Sequence, residues 1–185
     1  MATIGIVYGT GEGQTAKVAD RLASAMTERG HEVEALDVET DSVDLDGVDA
    51  VVVGSSIHVG KHNAAVVRFL EDEAKRLSAL PTAFFQVSLS SATDDPARRA
   101  EAAAYVERLL EATSYEPDRI GLFGGALRYS EYGFLKRALL KRIAAEATGD
   151  TDTARDYEYT DWDAVEAFAD DVCGFVEDRL GDRSG

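Results

Sequence analysis

The stretch "TIGIVYGTGEGQTAKVADRLASAM" (3–26) decides how the chain is read. Its first six residues are an apolar, β-branched run, the pattern of a buried strand. Gly9, Gly11 and Gly13 then fall at alternate positions around Thr10, Glu12 and Thr15. A helical pattern follows over 13–30, with Val18, Leu22, Ala25 and Met26 on one face and Gly30 as its stop. Strand, glycine-rich turn and helix in direct succession are the opening of a parallel α/β unit.

The rest of the chain repeats the alternation. "EVEALDV" (32–38) alternates apolar and charged residues, as a strand near a sheet edge does. "DAVVVG" (49–54) is a continuous β-branched run, the pattern of a central strand covered on both faces. A helix is predicted over 63–77, a fourth strand over 82–89, and a helix opened by Pro96 in "DPARRAEAAAYVERLLEA". "RIGLFGGAL" (119–127) is the fifth strand, and 161–180 the last helix, with Asp161 as N-cap. Five strands separated by helices predict an α/β, doubly wound, five-stranded parallel sheet with helices on both faces. Residues 1–180 read as one domain and 181–185 as a short polar tail. Residues 128–160 break the rhythm, because such connections usually run about 2–6 residues. This insertion has a helical pattern of its own near 131–147.

Composition narrows the function. The 35 acidic residues against 19 basic ones give a net charge of −16, which disfavours nucleic-acid binding. The acid is spread along the chain, which fits adaptation to high salt better than a single docking face for a basic partner. No apolar run approaches the roughly 20 residues of a membrane span, and the N-terminus does not read as a signal peptide. The single cysteine, Cys173, excludes an internal disulfide framework, suits a reducing cytoplasm, and lies on an apolar helix face as a small core residue.

The first loop limits its own ligand. A dinucleotide fingerprint starting at Gly9 and Gly11 needs glycine at position 14, which is Gln14. A Walker loop needs a lysine that does not follow Gly13. What remains is Thr10 to Gly13 to Thr15: backbone N–H groups and two hydroxyls at a helix N-terminus, with no arginine or lysine. Such a cradle favours a monophosphate, flavin mononucleotide (FMN) rather than NAD; the competing reading is a strand-to-helix turn with no ligand. The candidate cofactor residues here are Thr10, Gly11, Glu12, Gly13, Gln14 and Thr15. Ligands in open α/β sheets bind beyond the carboxyl ends of central strands, which adds two more loops. "GSSIHVGKH" (54–62) offers Ser56, Ile57, His58, Val59 and Gly60, a small and apolar shape able to pass under a flat ring. "SLSSATDD" (88–95) offers Ser88, Leu89, Ser90 and Ser91, rich in hydroxyls and backbone donors.

His58 and His62 stand four apart, but Gly60 argues against one helix and no third ligand is evident, so no metal is expected. His58 can instead tune or protonate a reduced ring near neutral pH, the competing reading being an exposed loop residue with no role. In the insertion, Arg128, Lys136, Arg137, Lys141 and Arg142 face Glu131 alone between 128 and 142. Phe134, Leu135, Ala138, Leu139 and Ile143 fit one apolar face. That helix can dock on a membrane or a quinone-bearing partner, receive substrate carboxylates, or pack on the domain.

The layout resembles the flavodoxins, and more narrowly the menaquinone-dependent protoporphyrinogen IX dehydrogenase family. The matching stretches are "GQT" (13–15), "GSSIHVGKHNAAV" (54–66), "LPTAFFQVSL" (80–89), "GGALRY" (124–129), "GDTDT" (149–153) and "YTDW" (159–162). The resemblance implies strand order 2-1-3-4-5, FMN held by the three loops, and the family's long insertion at 128–160. It implies oxidation of a porphyrinogen with a quinone as acceptor. Arg128, Tyr129, Lys136 and Arg137 would form the substrate or partner side. The expected location is cytoplasmic, with peripheral contact at the inner face of the cell membrane if the 131–147 helix takes its membrane-docking option. Two other activities fit the same fold: a flavodoxin-type electron carrier and an NAD(P)H-dependent quinone reductase.

Overall fold

The computed structural model of the chain describes residues 1–92, 95–127 and 157–183. The elements are β1 (Thr3–Gly9), α1 (Gln14–Glu28), β2 (Glu32–Asp37), β3 (Ala50–His58), β4 (Lys61–His62), α2 (Ala64–Leu77), β5 (Thr82–Ser88), α3 (Pro96–Thr113), β6 (Arg119–Gly124), β7 (Ala126–Leu127), β8 (Tyr157–Glu158) and α4 (Trp162–Arg183). Five strands form a parallel sheet in the order β2-β1-β3-β5-β6. Counting only those parallel strands, this is the expected 2-1-3-4-5. The two-residue β4 adds an antiparallel sixth strand on β3, and β7 pairs with β8 in a separate ribbon.

Period-2 alternation along the strands builds two cores. Ile4, Ile6, Val52, Ala83, Phe85 and Phe123 face α1 and α4, where Val18, Leu22, Met26, Val165, Phe168 and Val172 meet them. Val7, Val51, Val53 and Phe84 face the other way, onto Val66, Phe69 and Leu70 of α2 and Val106 and Leu109 of α3. Burial of both faces is why the central strands read as unbroken apolar runs. β2 is the edge strand its alternating sequence predicts. Cys173 is fully buried between these layers, and burial pushes its thiol up to about 11.

The structure corrects several boundaries. β3 runs on to His58, beyond the predicted end at Gly54, because Ser55 and Ser56 continue the ladder against Gln86 and Val87 despite their polarity. His58 and His62 therefore lie on a hairpin rather than a helix. The fifth strand stops at Gly124. After Gly125 the chain turns away, and Ala126 and Leu127 pair with Glu158 and Tyr157. α4 continues through Arg183, taking in residues 181–183 assigned to a tail, since a single Gly181 is too weak a stop without a following proline. The predicted helix near 131–147, with Arg128, Tyr129, Lys136 and Arg137, lies outside the described residues. Among the described residues no helix is long and apolar enough to cross a membrane.

Candidate functional site

A cavity of about 140 Å³, open to solvent at its mouth, lies at the carboxyl ends of β1, β3 and β5. From the first loop it is lined by Thr10, Gly11, Glu12, Gln14 and Thr15. The end of β3 and its hairpin turn contribute Ser56, Ile57, His58, Val59 and Gly60, and the end of β5 with the turn after it contributes Ser88, Leu89 and Ser90. Three loops distant in sequence thus converge on one space, as the switch point of such a sheet requires. Gly13 and Ser91 do not line it. Gly13 is the N-cap of α1, at φ 90° in the left-handed region, and aims the chain into the helix. Ser91 exchanges a hydrogen bond with Ser88 (Oγ to Oγ, 2.8 Å) and secures one turn of 3-10 helix, Leu89–Ser91.

The cavity's polar end is the N-terminus of α1. Thr10 Oγ1 accepts from Gly13 N–H at 2.9 Å, folding the loop back on itself. No side chain caps α1, whereas Asn63 caps α2, Asp95 caps α3, and Asp161 Oδ1 accepts from Ala164 N–H in α4. The first-turn donors of α1 are left for a ligand, in the field of the helix dipole. Beside them Gln14, 4% exposed, has an Oε1 with no hydrogen-bond partner among the described residues. A side chain at Gly11 would grow toward Ser56 Oγ, 3.9 Å from its Cβ, into the space the first two loops share. Open donors, an orphaned buried acceptor and a glycine floor fit the phosphate and polyol end of a flavin nucleotide.

Ile57, Val59, Val87 and Leu89 supply the apolar part of the lining. β3 and β4 are joined by the two-residue turn Val59–Gly60, at φ 49° and 73°, the primed hairpin geometry. Asn-Gly is the preferred pair for such a turn, and valine is strained there. Val59 is also 68% exposed at the lip of the cavity. His58 Nδ1 stands 3.8 Å from Glu12 Oε1, bridging the first and second loops. His62 turns the other way: its Nε2 meets Gln86 Oε1 at 2.8 Å, and burial lowers its pKa from 6.5 to about 4, so it is a neutral structural group. No cluster of three or more His, Cys, Asp or Glu able to hold a metal occurs among the described residues.

Three lining residues, Val87, Gly125 and Tyr105, were not anticipated. Val87 borders a predicted loop, and Gly125 lies within the predicted fifth strand. Tyr105 projects from the middle of α3, where helical periodicity carries no mark of a ligand. Its hydroxyl donates to Glu101 Oε1 at 3.1 Å, and the Arg108 guanidinium sits 5.0 Å from its ring centroid. Burial, then the Glu101 hydrogen bond, raises the Tyr105 pKa. Partial burial works to raise the Glu101 carboxyl. Hydrogen bonds from Arg98, Ser90 and Tyr105 outweigh it and hold the group below its usual range. Glu101 therefore ties the third loop, through Ser90 Oγ at 3.1 Å, to the helix that carries Tyr105.

The flavodoxin domain family matches residues 5–154. The protoporphyrinogen IX dehydrogenase (quinone) of Escherichia coli (strain K12) is 33% identical over 173 residues, covering 93% of this chain and 95% of that protein. The protein of the same name from Leishmania major is 32% identical over 168 residues, 90% of this chain and 72% of that one. Among solved structures, a short-chain flavodoxin associated with a non-canonical PDU bacterial microcompartment superposes with a TM-score of 0.59 at 15% identity, covering 95% of this chain and 99% of that one.

Proposed function

The chain belongs to the flavodoxin domain family, and on that premise we propose that it is an FMN-dependent oxidoreductase, taking electrons from a protoporphyrinogen-type tetrapyrrole and passing them to a quinone. The carrying observation is the uncapped N-terminus of α1 at the mouth of β1, with the orphaned Gln14 Oε1 beside it. Resemblance to two proteins named for this reaction supplies the donor and acceptor.

FMN, when bound, supplies the two-electron chemistry, and the protein positions it and tunes its surroundings. The N–H groups of the first turn of α1 and the Thr10 and Thr15 hydroxyls would hold the phosphate. The hairpin residues Ser56 to Gly60 and the turn Ser88 to Ser90 would border the ring. Gly13 and Ser91 act one step back, by shaping their loops. His58, on the hairpin, would be a titratable side chain on the ring side. The insertion, with Arg128, Tyr129, Lys136 and Arg137, would present the donor or a quinone at the inner face of the membrane.

The test uses protein reconstituted with FMN in high salt. Protoporphyrinogen IX and a menaquinone analogue are supplied, and oxidation is followed over many turnovers. A rate no higher than the autoxidation blank rejects the assignment. NADPH consumption with the same quinone identifies the NAD(P)H-dependent reductase instead.

A further inference from the structure

Three stretches marked out in the sequence, "GQT" (13–15), "GGALRY" (124–129) and "YTDW" (159–162), come together in the fold, and Thr160 stands at their junction. The Thr160 hydroxyl donates to Gly124 O at 2.8 Å. With its only hydrogen committed, the same oxygen accepts from Gln14 Nε2, also at 2.8 Å. This fixes the orientation of the Gln14 amide. Its nitrogen points to Thr160, and its Oε1 is left buried beside the cavity, without a donor among the described residues. A buried acceptor without a donor is costly, and a ligand hydroxyl is the group that relieves it.

Thr160 also belongs to a neck. Tyr159 N–H donates to Gly125 O at 2.9 Å, and the β7–β8 pairs Ala126↔Glu158 and Leu127↔Tyr157 bring together the two chain ends that flank residues 128–156. A second strut reaches α1: Lys17 Nζ lies 3.3 Å from Glu158 Oε2, while Trp162 Nε1 donates to Glu158 Oε1 at 3.0 Å. A Cβ at Gly124 would collide with the Tyr159 carbonyl, so the neck closes only on glycine.

We propose that Thr160 is a positioning residue for the phosphate cradle, acting through Gln14, so that filling the cradle and closing the β7–β8 neck are thermodynamically linked. The inference rests on reading the cavity as an FMN site. Gln14 is the first residue of α1, so its backbone N–H and its side-chain Oε1 move together. A ligand that engages either one holds the amide against Thr160, and Thr160 holds the neck through Gly124. The linkage is reciprocal: whatever loosens the neck weakens the ligand by the same factor.

The test measures two quantities on the full chain. FMN affinity is read by fluorescence quenching, and exchange of the 157–162 backbone amides is read with and without FMN. Lumiflavin, the ring without polyol or phosphate, reports on the ring side and on folding. In wild-type protein FMN slows exchange in 157–162. Thr160→Val weakens FMN roughly fivefold, as loss of one hydrogen bond does, leaves lumiflavin unchanged, and abolishes the FMN-dependent protection. Thr160→Ser keeps both. Gln14→Met weakens FMN as well, and adding Thr160→Val to it produces no further loss, because the effect of Thr160 passes through Gln14. Should Thr160→Val also lose lumiflavin, Thr160→Ser and Gln14→Met decide the matter by the same two readouts. FMN binding that is unchanged in Thr160→Val, or wild-type exchange unaffected by FMN, overturns the linkage alone. Wild-type protein that binds no FMN overturns the linkage together with the assignment of the cavity.

Discussion

Val59 carries the clearest local strain among the described side chains. It is β-branched, at φ 49°, and exposed, so no burial offsets the cost. Val59→Asn is expected to raise stability by about 1 kcal/mol in urea unfolding, because asparagine followed by Gly60 suits the turn. An unchanged or lower midpoint would show that the turn is not strained. His62 offers a second measurement. Burial lowers its pKa from 6.5 to about 4, so between those values the unfolded chain binds a proton that the folded chain refuses. Stability contributed by neutral His62 is full above pH 6.5 and drains away as pH falls toward 4, on the order of 3 kcal/mol in all. His62→Gln, which keeps a donor for Gln86, should flatten the stability profile in that window. A profile that keeps its slope removes His62 as the cause. Neither feature was readable beforehand. Val59 appears in the sequence only as an apolar loop residue, and His62 as half of a metal-like pair. Pairing across the hairpin sets the φ of one and the burial of the other.

At the scale of elements, the contrast between capped and uncapped helices separates support from site. Asn63 Oδ1 accepts from Ala65 N–H at 2.9 Å and Val66 N–H at 3.3 Å, and its own N–H donates to Ser55 Oγ at 3.1 Å. Asn63→Ala should therefore cost about 1 kcal/mol in thermal or urea unfolding, as lost caps do. A loss well below that value would mean water replaces the cap without penalty. The helices and strands themselves were legible, since periods of 3.6 and 2 in the hydrophobic pattern identify them. Their ends were less so. β3 runs four residues past its apolar run because pairing with β5 and β4 satisfies its polar residues, information that lies in the partner strands. The β7–β8 ribbon joins segments separated by 128–156, and no local pattern in either announces it.

For the whole molecule, a net charge of −16 sets the conditions of every measurement. Cations are used across the α1–α4 seam, where Arg29 lies 3.1 Å from Asp170 and Arg21 pairs with Glu166. These partly exposed pairs contribute little singly. Repulsion among the surplus carboxylates is the larger effect, and salt screens it. The melting temperature should accordingly rise between about 0.05 M and about 2 M KCl, since the screening length falls well below the spacing of surface charges. A melting temperature that stays flat or falls over that range would count against salt adaptation.

Order along the chain was enough to establish the alternating strands and helices and the parallel sheet they imply, and to mark the first loop as a candidate anion cradle. Each depends on neighbours within a few residues: apolar periodicity, glycines at a turn, and the lack of the lysine or third glycine that other phosphate loops need. Folding decided the rest. It brought Tyr105 from the middle of a helix to the cavity wall, sent His62 away from His58, and set Thr160 against Gln14 across 146 positions of chain. Those relations rest on side chains that meet only once the layers have packed, and contacts between distant positions leave no periodic trace in the order of residues.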